Sequence, residues 1–483
     1  MQLINTQNSY EICDYMPFSK QVLDQARVAS RIKTSSYLSK RSDLRGRTLL
    51  TFSESPDSLC ECALSFTRKN GKNSLGIHIS DVAEYVVESS PLDTEARARR
   101  ATIRFGNSVS EMLPHNLTTD IFDLAVGSDK LALSVLLDID DNGELISVNF
   151  EESVIRVAQK CVYCELDRVG LATDTSSVFA LREKYGPYMG TLYDMYELAA
   201  TLCAKRREKG GLDCTVFKRI FEVNEDNKAV SFSFAEEPDS KTMIREIGYF
   251  AAEVIGKYML DNKIPSIYIG QDTIPENKID FLAGMVGANN AEKEAAARVW
   301  EIAELAKGSE HYEAVCIALK QLLPAAKFSD KPIYNTLCAT DTLVSVFRPA
   351  TRYADLLALR TLKSCVDAKG NAGNLNLNRH TKNVKEAAEE ASRSESFVFL
   401  ERNRYIAGIA LEYLTNSNEC VYYGFPVLKN ADGSFMVYLF CGAQATIPSQ
   451  HADDIHLNVG TVKAFELLEL DGENDNVFVK PIA

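Results

Sequence analysis

The chain has 483 residues, 46% of them hydrophobic, enough for a large core and for about two to four domains. Its net charge of −14 at pH 7 argues against broad, nonspecific wrapping of nucleic acid, though a recessed basic channel stays compatible with it. No run of about eighteen apolar residues occurs, and the first residues lack the charged start and apolar stretch of a signal peptide, so a cytoplasmic protein without membrane contact is expected.

In chain order, residues 75–87 (LGIHISDVAEYVV) predict a strand running into a loop or short helix. Residues 131–139 predict an apolar strand, closed by the turn Asp141-Asn142-Gly143. Leu192, Met195, Tyr196, Ala199 and Cys203 recur at helical spacing, and Gly210-Gly211 ends that helix. Two further helices are predicted over residues 243–260 and 292–307, a loop over 371–378, and then a helix carrying Val384, Ala387, Ala388 and Ala391. From Cys420 onward the short runs VYYGFPVL, FMVYLF and TVKAFELLEL, with Asp432-Gly433 between two of them, predict a small β-barrel of the OB type. An extra sheet packed on the main domain is the alternative. The expected layout is an extension over 1–19, a main domain over 20–415 and the barrel over 416–483.

Twelve cysteines scattered through a chain of this size read as reduced, mostly buried thiols. Cys161 and Cys164 make a single CxxC and Cys60 and Cys62 a second pair, too few ligands in pattern for a zinc site. Arg97, Arg99, Arg100 and Arg104 form one basic cluster, and Lys205, Arg206, Arg207 and Lys209 another. On composition these are solvated helix faces. His78, on a strand, reads as a core residue.

Several segments occur in a recognisable order: Arg41-Ser42-Asp43-Leu44-Arg45, LGIHISDV from Leu75, Ser90-Pro91-Leu92-Asp93, Met112-Leu113-Pro114, DKLALSV from Asp129, AKRREKGGLD from Ala204, Ile244-Arg245-Glu246 and PATRYAD from Pro349. Together they resemble the catalytic domain of the RNB family, the ribonuclease II and ribonuclease R type of exoribonuclease. The resemblance implies an α+β fold, a mixed sheet surrounded by helices, followed by the barrel. Two N-terminal cold-shock barrels found in many relatives are not expected here. It also implies metal-assisted 3′-to-5′ hydrolysis of single-stranded RNA, which needs hard oxygen ligands to place Mg²⁺ on the attacking water and the leaving oxygen.

In the family those ligands are four aspartates. Here they fall on Ser53, Leu59, Glu61 and Cys62, so one carboxylate remains. Leucine cannot ligate Mg²⁺, and a neutral thiol or hydroxyl is a poor ligand for a hard cation. The family's arginine against the scissile phosphate falls on Thr351, with Arg352 one residue on. Of the RNA-facing positions, Tyr163 matches an aromatic that stacks on terminal bases, although from its residue type alone it is equally a core tyrosine. Glu246 matches a glutamate that reads ribose hydroxyls. Cys214 replaces a second clamping aromatic of some members. Arg97, Arg100, Lys205 and Arg352 are the basic residues expected to line an RNA channel.

The reading is a catalytically inactive RNB-type protein that binds single-stranded RNA and needs no cofactor. One alternative is a divergent exoribonuclease holding Mg²⁺ through Glu61 with Glu54 or Asp57. Another is a protein-interaction scaffold without RNA affinity, which the acidic charge favours.

Overall fold

The computed structural model describes residues 17–482 apart from 70, 106–107, 170–175, 213–216, 227, 289–292, 294, 308–311, 368–376, 453–461 and 472–475. Cys214 and most of the expected loop at 371–378 therefore lie outside the described residues; Leu377 and Asn378, expected in that loop, open a helix instead.

The fold is α+β. Seven strands make the main sheet: β1 (Ser42–Asp43), β2 (Leu49–Ser53), β3 (Cys62–Lys69), β4 (Lys72–Ser80), β5 (Asp129–Asp140), β6 (Leu145–Arg156) and β7 (Gln159–Val162). Their order is β1-β6-β5-β4-β3-β2-β7, with β1 parallel to β6, β7 parallel to β2 and the other pairs antiparallel. The near-continuous apolar runs of β4 and β5 fit a strand pair covered on both faces.

On one face, Ile77, Ile79, Val135 and Leu137 pack against helices α3 (Met189–Glu208) and α4 (Asp239–Asp261) through Met195, Leu198, Met243 and Ile255. The opposite face carries a polar chain across four strands. His78 bonds Ser65 at 3.0 Å and Ser134 at 2.7 Å, and Ser134 bonds Ser153 at 2.6 Å. A Cβ at Gly76 would meet the His78 ring at 2.7 Å, so the glycine makes room for this imidazole. Burial pushes the His78 pKa down to about 3, so the ring is neutral and structural, as its strand position implied.

Other motif pieces prove to be joints. Ser90 caps α2 (Pro91–Arg99) by accepting from the Asp93 N–H, with Pro91 in the first turn where its missing N–H costs nothing. Asp93 in turn accepts from Arg360 at 2.6 Å and from the Tyr353 hydroxyl at 3.1 Å, tying α2 to α5 (Tyr353–Asp367). Asp81, at the end of β4, accepts from Arg41 and from Lys363 of α5, each at 2.8 Å.

A 40-residue helix, α6 (Leu377–Asn416), connects the two parts of the molecule. Val384, Ala387 and Ala388 share a core with α1 (Lys20–Ala29), α2 and α5, while Ile409, Ala410, Tyr413 and Leu414 enter the core of the C-terminal barrel. That barrel is closed and five-stranded: β8 (Tyr422–Lys429), β9 (Phe435–Leu439), β10 (Gln444–Ile447), β11 (Lys463–Asp471) and β12 (Asn476–Pro481), in the order β8-β9-β10-β12-β11. Antiparallel pairing of β8 with β11 closes the ring. This is an OB-like barrel, and alternation along β12, with Val477 and Val479 inward, shows why its short runs suffice. Of its lysines, Lys480 pairs with Glu466 at 2.9 Å, and Lys429 lies over the Phe435 ring at 5.3 Å.

Candidate functional site

The C-terminal end of β2, the start of β3 and the end of β7 meet at one edge of the main sheet. Ser53 ends β2 opposite Val162 in the parallel pair, Cys62 opens β3 opposite Ile79, and Tyr163 follows β7 directly. Loop 54–61 joins β2 to β3 here, and Lys160 holds it by donating to the carbonyls of Pro56 at 2.8 Å and Ser58 at 2.6 Å. Beside the loop lies a cavity of about 310 Å³. Its floor is sheet: Phe52, Leu64 and Ile77. One wall is α4, which presents Ile244, Ile247, Gly248 and Ala251 at the i, i+3, i+4, i+7 spacing of a single helix face. Leu59, Cys60, Glu61, Cys62, Tyr163, Phe347 and Arg348 complete the lining.

Of the four positions that the family resemblance aligns with metal ligands, Leu59, Glu61 and Cys62 reach this cavity. Ser53 is buried, and its hydroxyl donates to the Ser55 carbonyl at 2.8 Å. The Cys62 thiol donates to the Phe347 carbonyl at 3.1 Å, and burial raises its pKa well above the ordinary thiol value. Glu61 is 7% exposed. Its two oxygens accept from the Ala350 N–H and the Thr351 hydroxyl, both at 2.5 Å, so the carboxylate closes the turn that leads into α5. Burial pushes its pKa up to about 7, against the lowering effects of those two bonds and of Arg348.

Glu54 is bonded to Lys241 of α4, which also pairs with Glu237 at 2.9 Å. Asp57 is exposed on the loop. The cavity therefore offers one proton-prone carboxylate already bonded and two neutral thiols, Cys60 and Cys62, with a leucine at the fourth side, and these do not fit a Mg²⁺ ion. Among the described residues, the acidic groups that do converge are Asp81, Glu84 and Glu152, and Arg41 and Lys363 occupy the space between them.

The expected RNA-facing residues separate into three places. Tyr163 is in the cavity, half-buried, with burial raising its hydroxyl pKa to about 12. Glu246 lies on another side of α4, where Arg206 bonds both its oxygens at 2.8 Å. It shares with Lys205 a second groove of about 420 Å³, and Lys205 is itself paired with Glu144. The third place is the α2–α5–α6 junction. There Arg97 pairs with Glu386 at 2.6 Å, Arg100 is exposed, and Arg352 lies over Phe328 at 5.4 Å with Glu395 at 4.0 Å. Arg352 does not line the cavity, so it does not take over the position of Thr351. The buried Glu246 is likewise a salt-bridge partner of Arg206 in this structure.

One cavity residue was missed. Arg348 is exposed to the cavity while its backbone N–H is fixed by Asp355 at 2.8 Å. The signal was present in the motif itself, because Arg348 stands where the family pattern begins with serine, three residues before the position that lost its arginine.

The RNB domain model matches residues 41–368, about two thirds of the chain. The chain belongs to the RNB domain family. It is 25% identical over 350 residues to ribonuclease R 2 of Lactococcus lactis, an alignment covering 71% of this chain and 52% of that protein. It thus spans about half the length of the curated RNB relatives it matches. Among solved structures it resembles Mycoplasma genitalium RNase R in complex with ribose-methylated single-stranded RNA, with a TM-score of 0.80, 16% identity, and coverage of 97% of this chain and 76% of that one. Yeast Ssd1, described as a pseudonuclease, matches with a TM-score of 0.60 and 16% identity over 90% of this chain and 53% of its own. No helix among the described residues is long and apolar enough to cross a membrane.

Proposed function

We propose that this RNB protein binds single-stranded RNA without hydrolysing it. The observation that carries the proposal is the state of Glu61: the last carboxylate at the metal-ligand positions is bonded to the Ala350–Thr351 turn, in a cavity walled by leucine, isoleucine and phenylalanine. Phosphodiester hydrolysis by this fold requires oxygen ligands free to hold Mg²⁺, and neither Glu54, tied to Lys241, nor the exposed Asp57 replaces them. That a relative of the same fold is solved with single-stranded RNA, and another is described as a pseudonuclease, supports the same reading. RNA is taken up at the cavity, where Tyr163 offers a ring for a base to stack on. The domain limits 20–415 and 416–483 and a cytoplasmic location belong to this proposal.

A 5′-labelled single-stranded RNA incubated with the protein and Mg²⁺ or Mn²⁺ is expected to be bound and recovered at full length. Stepwise shortening that disappears in a Glu61→Ala variant would replace the proposal with the divergent nuclease, and absence of binding would leave the scaffold reading. Within the proposal, Tyr163→Ala is expected to weaken RNA binding by about 1–3 kcal/mol, the value of one base stacked on an aromatic ring. Titrating both proteins with the same labelled RNA measures it; a core tyrosine would instead lower thermal stability and leave the dissociation constant of the folded fraction unchanged.

A further inference from the structure

We propose that Arg348 holds an RNA phosphate in the 310 Å³ cavity, so that a side chain supplies the positive charge that metal ions supply in hydrolytic members of the family. The inference rests on the RNA-binding reading above and names the chemistry by which the cavity engages its ligand.

The charge balance of the cavity is its first support. Four aspartates would give this corner four negative charges; Ser53, Leu59, Glu61 and Cys62 give at most one. Arg348 adds a positive charge that the family pattern lacks. A corner that four carboxylates would make repulsive to phosphate thus keeps one carboxylate, already bonded, beside one cation.

The second support is the absence of a competing partner. Among the described residues, no side-chain hydrogen bond or ion pair is formed by the Arg348 guanidinium, and the carboxylates around it are engaged elsewhere. Glu61 is bonded to Ala350 and Thr351, and Asp355 accepts from Ser345 and from the Arg348 backbone N–H. Glu395 and Asp355 both lie nearer Arg352, at 4.0 and 3.8 Å. Arg352 beside it, together with burial, lowers the Arg348 pKa from its usual value, against the opposing pull of Asp355, Glu61 and Glu395. A guanidinium remains protonated at neutral pH even so.

Third, the surroundings strengthen whatever Arg348 binds. The walls are Phe52, Leu59, Leu64, Ile244 and Ile247, a low-dielectric setting in which a charge-assisted pair gains over the same pair in water. The planar fork of arginine matches two phosphate oxygens at once, and Tyr163 on the same cavity offers the neighbouring base a ring. The ligand is a phosphate oxyanion of RNA, either an internal diester or a terminal monoester.

The test uses fluorescence anisotropy with a 5′-labelled oligouridine ending in a 3′-hydroxyl or a 3′-phosphate, in EDTA, across a salt series. Wild-type protein is expected to bind without divalent metal. Arg348→Ser, which restores the residue of the family pattern, is expected to weaken binding about tenfold or more. It should also lower the slope of log Kd against log salt by about one, the loss of one phosphate contact. Arg348→Lys is expected to recover the slope and part of the affinity, and it reports on the charge even if the serine variant folds poorly. If a 3′-phosphate tightens wild type but not Arg348→Ser, the terminal monoester is the ligand; if both ends bind alike and both weaken in Arg348→Ser, it is the internal diester. Unchanged affinity and slope in Arg348→Ser, or binding by wild type that EDTA abolishes, overturns the inference and leaves RNA binding standing. No binding by wild type under any condition overturns the RNA-binding reading itself.

Discussion

Asp81→Ala is expected to destabilise the protein by about 3–5 kcal/mol, the range for removing one partner from a buried ion pair. Asp81 is 1% exposed and accepts from Arg41 and Lys363, both at 2.8 Å, while its other oxygen accepts from the Glu84 N–H at 3.2 Å. The Arg41 side chain is itself buried, and its Nη1 has no hydrogen-bond partner, so no slack exists to absorb the loss. Glu84 and Glu152 would be left to neutralise both cations. Because Arg41 precedes β1, Asp81 follows β4 and Lys363 comes from α5, the network joins three distant segments, and its failure would loosen the whole RNB domain. Asp81→Asn keeps the acceptor for Glu84 and loses the charge, so its destabilisation should be the smaller. Urea unfolding followed by circular dichroism measures both; a cost under about 1 kcal/mol for the alanine variant would mean that water reaches the two cations.

Glu61→Gln is expected to stabilise the protein above neutral pH and to do little in mild acid. Burial raises the Glu61 pKa from 4.5 to about 7, so the folded protein holds this proton more tightly than the unfolded chain does. The resulting stability is complete below the unfolded value of about 4.5 and is lost as pH rises through about 7. Glutamine does not titrate. Its Oε1 can accept from the Ala350 N–H, and the Thr351 hydroxyl can turn to accept from its amide. The advantage of the variant over wild type should therefore grow between about pH 5 and pH 8, by up to ~3 kcal/mol. Paired urea titrations at the two pH values give the difference directly. A difference that stays flat with pH would mean an ordinary, solvated Glu61 carboxylate, open to a cation, and would revive the nuclease reading.

Much of the fold was legible in the sequence because its signals are local. The apolar runs of β4 and β5, the helical spacing from Leu192 and the short strand-like runs after Cys420 each depend on residues within a few positions of one another. The changes at Ser53, Leu59, Glu61, Cys62 and Thr351 were equally visible, since the chemistry of a metal ligand is set by residue type before geometry enters. Where each side chain points was not visible. Glu246 and Tyr163 share a motif-based expectation, yet α4 places Glu246 on another of its faces, bonded to Arg206, because only about a third of a helix can look into any one cavity. Arg352, one residue past the position of the missing arginine, could have been a substitute or a structural contact, and the structure turns it toward Phe328 and Glu395 and leaves Arg348 in the cavity.

Residue identity by itself thus determined the family fold and which residue types stand at the positions read as metal ligands. The tertiary structure alone decided which charges face the cavity. That outcome depends on contacts between residues nearly three hundred positions apart, such as Glu61 with Thr351, which no local pattern encodes.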